Sequence, residues 1–153
     1  MYISTTNVRV RYAETDQMDV VYHGNYAQYF EVGRVEAIRQ LGLSYKEIEA
    51  MGVIMPIIEW QAKFLRPAHY DELLCIKTIL HELPVNHRIE FEQEVYNEKE
   101  ELLTKGKVVL YFLSIENKSR IPMPDALKSR LEKFFPPNAS KEVTPCDGPN
   151  ANA

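Results

Sequence analysis

The sequence predicts an α+β fold in which an antiparallel sheet of about five strands wraps around a long central helix. Two observations carry that expectation. From about Asn25 to Leu41, apolar and small residues recur at helical spacing on most sides of the helix, and a helix that is apolar nearly all round is a buried one. After it comes a series of strand-period segments separated by short turns, the pattern of neighbouring antiparallel strands. A sheet made this way can curl around one helix. Half of its surface still needs cover, which favours a homodimer or homotetramer.

The elements follow in chain order. Val8, Val10 and Tyr12 alternate with Asn7, Arg9 and Arg11, as in a strand with one buried face. Ala13 to Asp19 is polar. In the helix, Tyr26, Phe30, Gly33, Ala37 and Leu41 form one stripe, and Tyr29, Val32 and Val35 form its neighbour. At about 1.5 Å per residue the helix is roughly 25 Å long, enough to cross a domain. Gly42 closes it as a C-cap. Ser44 opens a second, short helix to about Met51, with Glu47 completing a capping box.

Strands dominate the rest. Ile58, Trp60, Ala62 and Phe64 alternate with Glu59, Gln61 and Lys63, until Arg66-Pro67-Ala68 breaks the run. Leu73 to His81 is apolar on both faces. Pro84 to Asn86 turns the chain. Ile89, Phe91 and Val95 then alternate with Glu90, Glu92 and Glu94, so this strand shows one face to water. After a turn at Asn97 to Glu100, Lys105 to Ile115 is the longest strand, nearly all apolar from Val108 to Leu113. That places it centrally in the sheet or in a subunit interface. Pro122 and Pro124 precede a last helix, Asp125 to Phe134. Residues 1–135 read as one domain. From Pro136 to Ala153 the chain is Pro, Asn, Ser, Gly and Ala with little to bury, so a disordered tail is expected there.

Composition narrows the function. The 153 residues are 45% hydrophobic and 26% charged with net charge −4, and no basic block stands out. Nothing suggests an electrostatic footprint for nucleic acid. The two cysteines, Cys75 and Cys146, make neither a disulfide framework nor a metal site. Met1 to Thr6 lacks the features of a signal peptide, and no apolar run is long enough for a membrane span. A cytoplasmic protein is expected, and the sequon at Asn138 is read as chance. Metal-ligand spacings, a phosphate loop and a nucleophile elbow are missing from the sequence.

The chemistry concentrates in Arg11-Tyr-Ala-Glu-Thr-Asp-Gln-Met-Asp-Val-Val-Tyr-His-Gly-Asn-Tyr26. Glu14, Asp16, Asp19 and His23 fall between a strand end and the start of the central helix. A helix N-terminus presents free N–H groups and a partial positive charge. These can polarise a thioester carbonyl or hold its oxyanion. A carboxylate on the adjoining loop can attack that carbonyl or activate a water. Gly24 permits close backbone approach. Residue types alone leave a plainer reading open, because Asp and Asn before a helix are usually caps.

The run Tyr12-Ala-Glu-Thr-Asp16-Gln-Met-Asp-Val-Val-Tyr-His23-Gly-Asn-Tyr26, continued by Tyr29-Phe-Glu-Val-Gly-Arg34, resembles the signature of hotdog-fold acyl-CoA thioesterases. The branch is the one with bacterial 4-hydroxybenzoyl-CoA thioesterase and YbgC-like enzymes. Phe64-Leu-Arg-Pro-Ala-His-Tyr-Asp-Glu-Leu is similar to that family's strand and turn after the helix, and the likeness spans about residues 5 to 134. It implies a hotdog fold with its active site between two subunits, and hydrolysis of an acyl- or aroyl-CoA. Asp16 is the implied nucleophile or general base, and a backbone N–H near His23 the implied carbonyl-polarising group. No cofactor is implied beyond the CoA of the substrate. This chain departs from many relatives by having Glu14 in place of Asp, and Gln17-Met18-Asp19 in place of small residues.

The candidate residues each have a structural alternative. The His23 side chain orients Asp16 or bonds substrate, or contributes only its backbone. Tyr22 and Tyr26 line or flank an acyl pocket, while core packing is the better account of Tyr29. Glu31, two turns into the helix, is the second candidate nucleophile, with a structural ion pair to Arg34 as its plainer role. Trp60, Met55 and Phe64 are core or interface. For the nucleotide phosphates the candidates are Lys63, Arg66, His87 and Arg88, with Arg88 first. Two alternatives to acyl-CoA hydrolysis are acyl release from acyl carrier protein and a non-catalytic acyl-CoA-binding module.

Overall fold

The computed structural model describes residues 1–137. A five-stranded antiparallel sheet holds β1 (Tyr2–Arg9), β3 (Ile57–Phe64), β4 (Leu73–Leu80), β5 (Arg88–Tyr96) and β6 (Leu102–Tyr111). Its order is β1-β4-β5-β6-β3. Strands β2 (Val53–Ile54) and β7 (Leu113–Ser114) pair separately. The helices are α1 (Tyr26–Gln40), α2 (Tyr45–Ala50) and α3 (Asp125–Leu131). The tail expected from Pro136 lies, from residue 138 on, outside the described residues, as do Cys146 and the Asn138 sequon. Among the described residues no helix is long and apolar enough to cross a membrane.

Strands β4, β5 and β6 form a meander through short turns, but β3 sits on the far side of β6, at the opposite edge from β1. The segment from Leu65 to Glu72 therefore passes along one end of the sheet, where its backbone meets Val10, Val21 and Leu103. The centre of the sheet is β5, the strand with outward glutamates, and β6 lies second from the edge. The apolar run of β6 is covered on both faces as expected, with Val108, Val109 and Leu110 all buried, and it continues beyond the strand. Past Tyr111 the chain leaves the sheet, buries Phe112 and pairs Leu113 with Ile54.

The first strand also begins and ends earlier than its alternation suggested. Tyr2 and Ser4 face inward beside Leu80 and Thr78, so polar residues hide the pattern there. Tyr12 is 79% exposed and belongs to a 3-10 turn over Tyr12–Glu14. The caps of α1 and α2 match their residues: Gly42 takes φ +79, and Ser44 and Glu47 make the reciprocal bonds of a capping box.

One side of α1 is pressed onto the sheet. Tyr26, Tyr29, Phe30, Gly33, Ala37 and Ile38 are buried. Gln93 Nε2 donates to the Phe30 carbonyl (2.8 Å) and to Thr78 Oγ1 (3.0 Å), so polar groups hold the helix as well as apolar ones. The other side stays open: Ala27, Gln28, Glu31 and Val32 are exposed. The sheet thus half-wraps the helix, and the helix is not buried all round within one chain. The Glu31–Arg34 pair expected from their spacing is not formed. Arg34 turns inward, is 4% exposed, and donates from Nη1 to Gln93 Oε1 (3.4 Å). Burial lowers its pKa, and the neighbouring Tyr45 works against that shift.

Candidate active site

Three pieces of chain meet at the N-terminal end of α1: the loop Arg11–Tyr22, the entry turn His23–Asn25, and the segment Phe64–Pro67 at the end of β3. They enclose a cleft of about 310 Å³ lined by Asp16, Met18, Val20, Val21, His23, Tyr26, and Phe64 to Pro67. Most of that lining is apolar, with one carboxylate, one imidazole and one guanidinium.

The loop is folded by its own backbone. Asp16 N–H donates to the Val20 carbonyl (2.9 Å), and Asp19 N–H to the Asp16 carbonyl (3.0 Å). Closing this turn takes Asp19 to φ 60, a conformation that Asp tolerates better than most residues. Asp16 Oδ1 accepts the Met18 N–H at 2.8 Å. That bond aims the side chain and leaves its other oxygen free of protein partners among the described residues.

Glu14 ties this loop to the helix. Its Oε1 accepts from the Tyr29 hydroxyl (3.0 Å) and from the Arg11 N–H (2.8 Å). Its carbonyl accepts from Tyr22 N–H (2.9 Å) and Asn25 Nδ2 (2.8 Å). Burial, and then the Glu14 charge, hold the Tyr29 phenol well above its usual pKa, so it stays a donor. Sequence reading placed Tyr29 in the core, where it is, but missed Glu14. The signal available was its place three residues after Arg11 at the start of a turn.

At the helix entry, His23, Gly24 and Asn25 form a 3-10 turn that runs into α1. Asn25 N–H is taken by the Tyr22 carbonyl, whereas the N–H groups of His23 and Gly24 enter none of the turn, loop and cap bonds of the described residues. These are the open donors that a helix start leaves. Gly24 matters sterically, because a β-carbon there would come within 2.8 Å of the Tyr22 ring.

The candidate residues divide by place. Asp16, His23 and Tyr26 face the cleft together. No hydrogen bond joins His23 to Asp16; its ring lies against that of Tyr22, with centroids 4.3 Å apart. Tyr22 is half exposed beside the cleft and is not among its lining residues. Tyr26 is buried, edge-on to Phe64 at 5.1 Å, and forms the floor. Burial raises its phenol pKa. Glu31 is on the open side of α1. Arg88 pairs across strands with Tyr111, seven residues along β6 from Thr104, the partner of Phe64. At about 3.4 Å per residue this puts Arg88 roughly 24 Å from the cleft within one chain. Arg66 lines the cleft and pairs with Glu101 at 2.8 Å, while Lys63 and His87 lie elsewhere.

A half-wrapped helix with a carboxylate loop at its N-terminus, and a sheet that continues past it, defines a hotdog-fold enzyme. The chain belongs to the thioesterase superfamily, whose family profile matches residues 18–104. It is similar to YneP of Bacillus subtilis, whose name carries a provisional acyl-CoA thioesterase assignment, with 36% identity over 69% of this chain and 76% of that protein. The acyl-CoA thioester hydrolase YbgC of Escherichia coli is 29% identical over 67% of this chain and 76% of its own length. The solved structure of a DHNA-CoA thioesterase from Staphylococcus aureus is 35% identical with a TM-score of 0.75, covering 88% of this chain and 85% of that one.

Proposed function

We propose that this hydrolase cleaves acyl-CoA thioesters, with Asp16 as nucleophile or general base and the His23 and Gly24 N–H groups polarising the carbonyl. The observation that supports this most is a juxtaposition. A carboxylate with an unengaged oxygen and His23, whose N–H is unengaged, line one cleft with an apolar wall, and the unengaged N–H of Gly24 follows next in the chain. A thioester carbonyl seated on those N–H groups gains positive dipole where its oxygen becomes negative. Asp16 then adds to the carbonyl carbon, or takes a proton from a water that does. Collapse of the adduct breaks the C–S bond. On the nucleophilic route the thiolate leaves an Asp16–acyl anhydride, which water hydrolyses to the free acid and the restored carboxylate, the thiolate taking a proton from solvent. On the general-base route the proton that Asp16 takes from water goes to the leaving thiolate. His23, in the same wall and unbonded to Asp16, serves as a donor to substrate. Tyr22, Gly24 and Tyr26 shape the acyl side, and residues 1–135 act as one catalytic domain.

The active unit in this reading is a homodimer or homotetramer. β3 is an edge strand with Ile57, Ile58 and Trp60 exposed, next to the open side of α1. Antiparallel pairing of two β3 edges covers both and closes the cleft from its open side. It also brings the Arg88 end of the second copy towards Asp16 of the first, so Arg88 can reach a bound substrate only across subunits. The expected place of work is the cytoplasm.

A panel of acyl- and aroyl-CoA esters, run beside the same acyl groups on acyl carrier protein, tests the reading. Purified protein should release free thiol from CoA esters, and Asp16→Asn should remove most of that release with the fold intact. Turnover on the carrier protein alone moves the substrate to that carrier. No turnover on either leaves a binding protein and defeats the proposal.

A further inference from the structure

Beside the cleft lies an aromatic patch that the proposed chemistry does not use. Tyr12 and Tyr70 are 79% and 56% exposed, and their rings meet edge to face with centroids 5.6 Å apart. Two large aromatic side chains standing together in water forgo the burial that usually repays them. Two arginines neighbour them in the fold or the chain. Arg11 precedes Tyr12, and Arg9 Nη1 reaches the carbonyl of Asp71, next to Tyr70 (2.6 Å). No ion pair joins Arg9 or Arg11 to a carboxylate among the described residues, whereas Glu72 nearby is occupied by His69. The backbone holds the two halves in register: Val10 N–H donates to Glu72 (3.0 Å) and Asp71 N–H to Val10 (3.1 Å).

The patch is continuous with the site. Thr15, the residue before Asp16, bonds the Tyr12 carbonyl through both its N–H (3.2 Å) and its hydroxyl (2.8 Å). Tyr70 follows Pro67, the last residue of the other cleft wall, by three positions. Both segments that wall the cleft therefore carry one ring of the patch. Aromatic faces flanked by guanidinium groups are what a purine bearing phosphates binds.

We infer that Tyr12 and Tyr70 form a stacking platform for the adenine of CoA, with Arg9 and Arg11 holding its phosphates. This rests on the reading of the substrate as a CoA thioester. The pantetheine arm then runs from the platform along the loop to the carbonyl at Asp16. Binding energy from the nucleotide is used to place the thioester, and the platform does not touch the reacting atoms.

The test compares one acyl group on CoA and on pantetheine, which lacks the nucleotide. Tyr12→Ala and Tyr70→Ala should each raise KM for acyl-CoA by about tenfold, the size of a lost base stack, with kcat held. Neither should change KM for acyl-pantetheine. Tyr12→Phe should restore the wild-type value, and Arg11→Gln should weaken acyl-CoA alone. Asp71→Asn, which removes a carboxylate beside Tyr70 at a φ of 66 that Asn tolerates, should lower KM for acyl-CoA. The platform is overturned if both substrates weaken together, if acyl-CoA is unaffected, or if Tyr12→Ala alters the oligomeric state. Should wild type cleave no thioester, titration calorimetry with CoA decides the matter separately: equal affinity in wild type and Tyr12→Ala, or no binding to either, overturns it.

Discussion

Along α1, the sheet-facing side of Phe30–Ile38 is packed until little can be added, whereas the approach to the helix, Arg11–Asn25, is held by hydrogen bonds around an open cleft. In the first region, contacts are side chain on side chain. A β-carbon on Gly33 would lie 2.7 Å from Gln93 Nε2, 2.7 Å from Ile76 Cγ2 and 2.8 Å from Thr78 Oγ1. In the second, Asp16, Glu14 and Tyr22 are fixed mainly by backbone donors and acceptors. The difference teaches where stability and chemistry are kept. Close packing makes the helix a rigid mount, and a loop bonded to the end of that mount can keep polar groups unpaired for a substrate. Changes in the middle should therefore cost fold and turnover together, and changes in the approach should cost turnover first.

Asp16→Asn should give the largest effect and the sharpest form of this division. Losing a general base typically costs 10²- to 10⁴-fold in rate, and losing a nucleophile costs at least as much. We expect kcat to fall by about 10³-fold or more while Tm stays within a degree or two of wild type. The Met18 N–H keeps an oxygen to bond in the asparagine, so the turn is preserved. Equal turnover in wild type and variant, measured by thiol release, would remove Asp16 from the chemistry.

Gly33→Ala should act from the other region. Alanine favours a helix interior over glycine by about 1 kcal/mol, so propensity alone predicts stabilisation. The clash predicts the reverse, because Gln93 is tied to Phe30 and Thr78 and cannot swing away. Overpacking costs about 1–3 kcal/mol, and each lost kcal/mol lowers Tm by roughly 2–4 °C in a domain of this size. Calorimetry should show Tm falling and residual kcat tracking the folded fraction. A rise in Tm would mean that the helix is not pressed on the sheet as described.

Tyr29→Phe lies on the border between the regions. It removes the donor that joins the helix to Glu14, a bond to a charged group worth about 1.5–3 kcal/mol. The loop keeps its bonds to Arg11, Tyr22 and Asn25, so part of the loss should appear as a fivefold or greater fall in kcat, roughly 1 kcal/mol, and part in Tm. Glu14→Ala should add to it only the cost of losing the Arg11 N–H bond, because the Tyr29 bond is already broken. Full additivity in a double-mutant cycle on kcat would show that Glu14 holds the loop without Tyr29.

Much of this was legible in the sequence, for reasons that differ by element. Helix α1, its Gly42 cap and the Ser44–Glu47 box announce themselves because periodicity and capping are local. The placement of β3 beside β6 is a long-range choice that no segment encodes by itself. β1 was mislocated because Ser4 and Thr6 point inward where an apolar residue is expected. For the site, resemblance selected Asp16 among three acidic residues, and the cleft does bring Asp16, His23 and Tyr26 together. The Glu14 bonds were invisible, since they depend on how the loop folds back on Tyr29. Glu31 is exposed, against the burial its helix pattern implies, because stripes that cover most of a helix need not be buried on every side within one chain.

That last residue carries the smallest expected effect and the finest test of the comparison. In one chain the Glu31 carboxylate is exposed on the open side of α1, outside the cleft and unpaired with Arg34. Surface changes away from a site usually alter free energies by less than about 0.5 kcal/mol. Glu31→Gln should therefore leave Tm unchanged and kcat within about twofold of wild type. The same side of the helix is the one a second copy is proposed to cover, so Glu31 can meet substrate only across a subunit boundary. If Glu31→Gln abolishes turnover while Asp16→Asn does not, the chemistry moves from the approach to the outer side of the packed helix. The separation of mount and site along α1 then fails. If both are required, the two regions share one catalytic centre in the assembled protein, and the cleft of a single chain is only half of it.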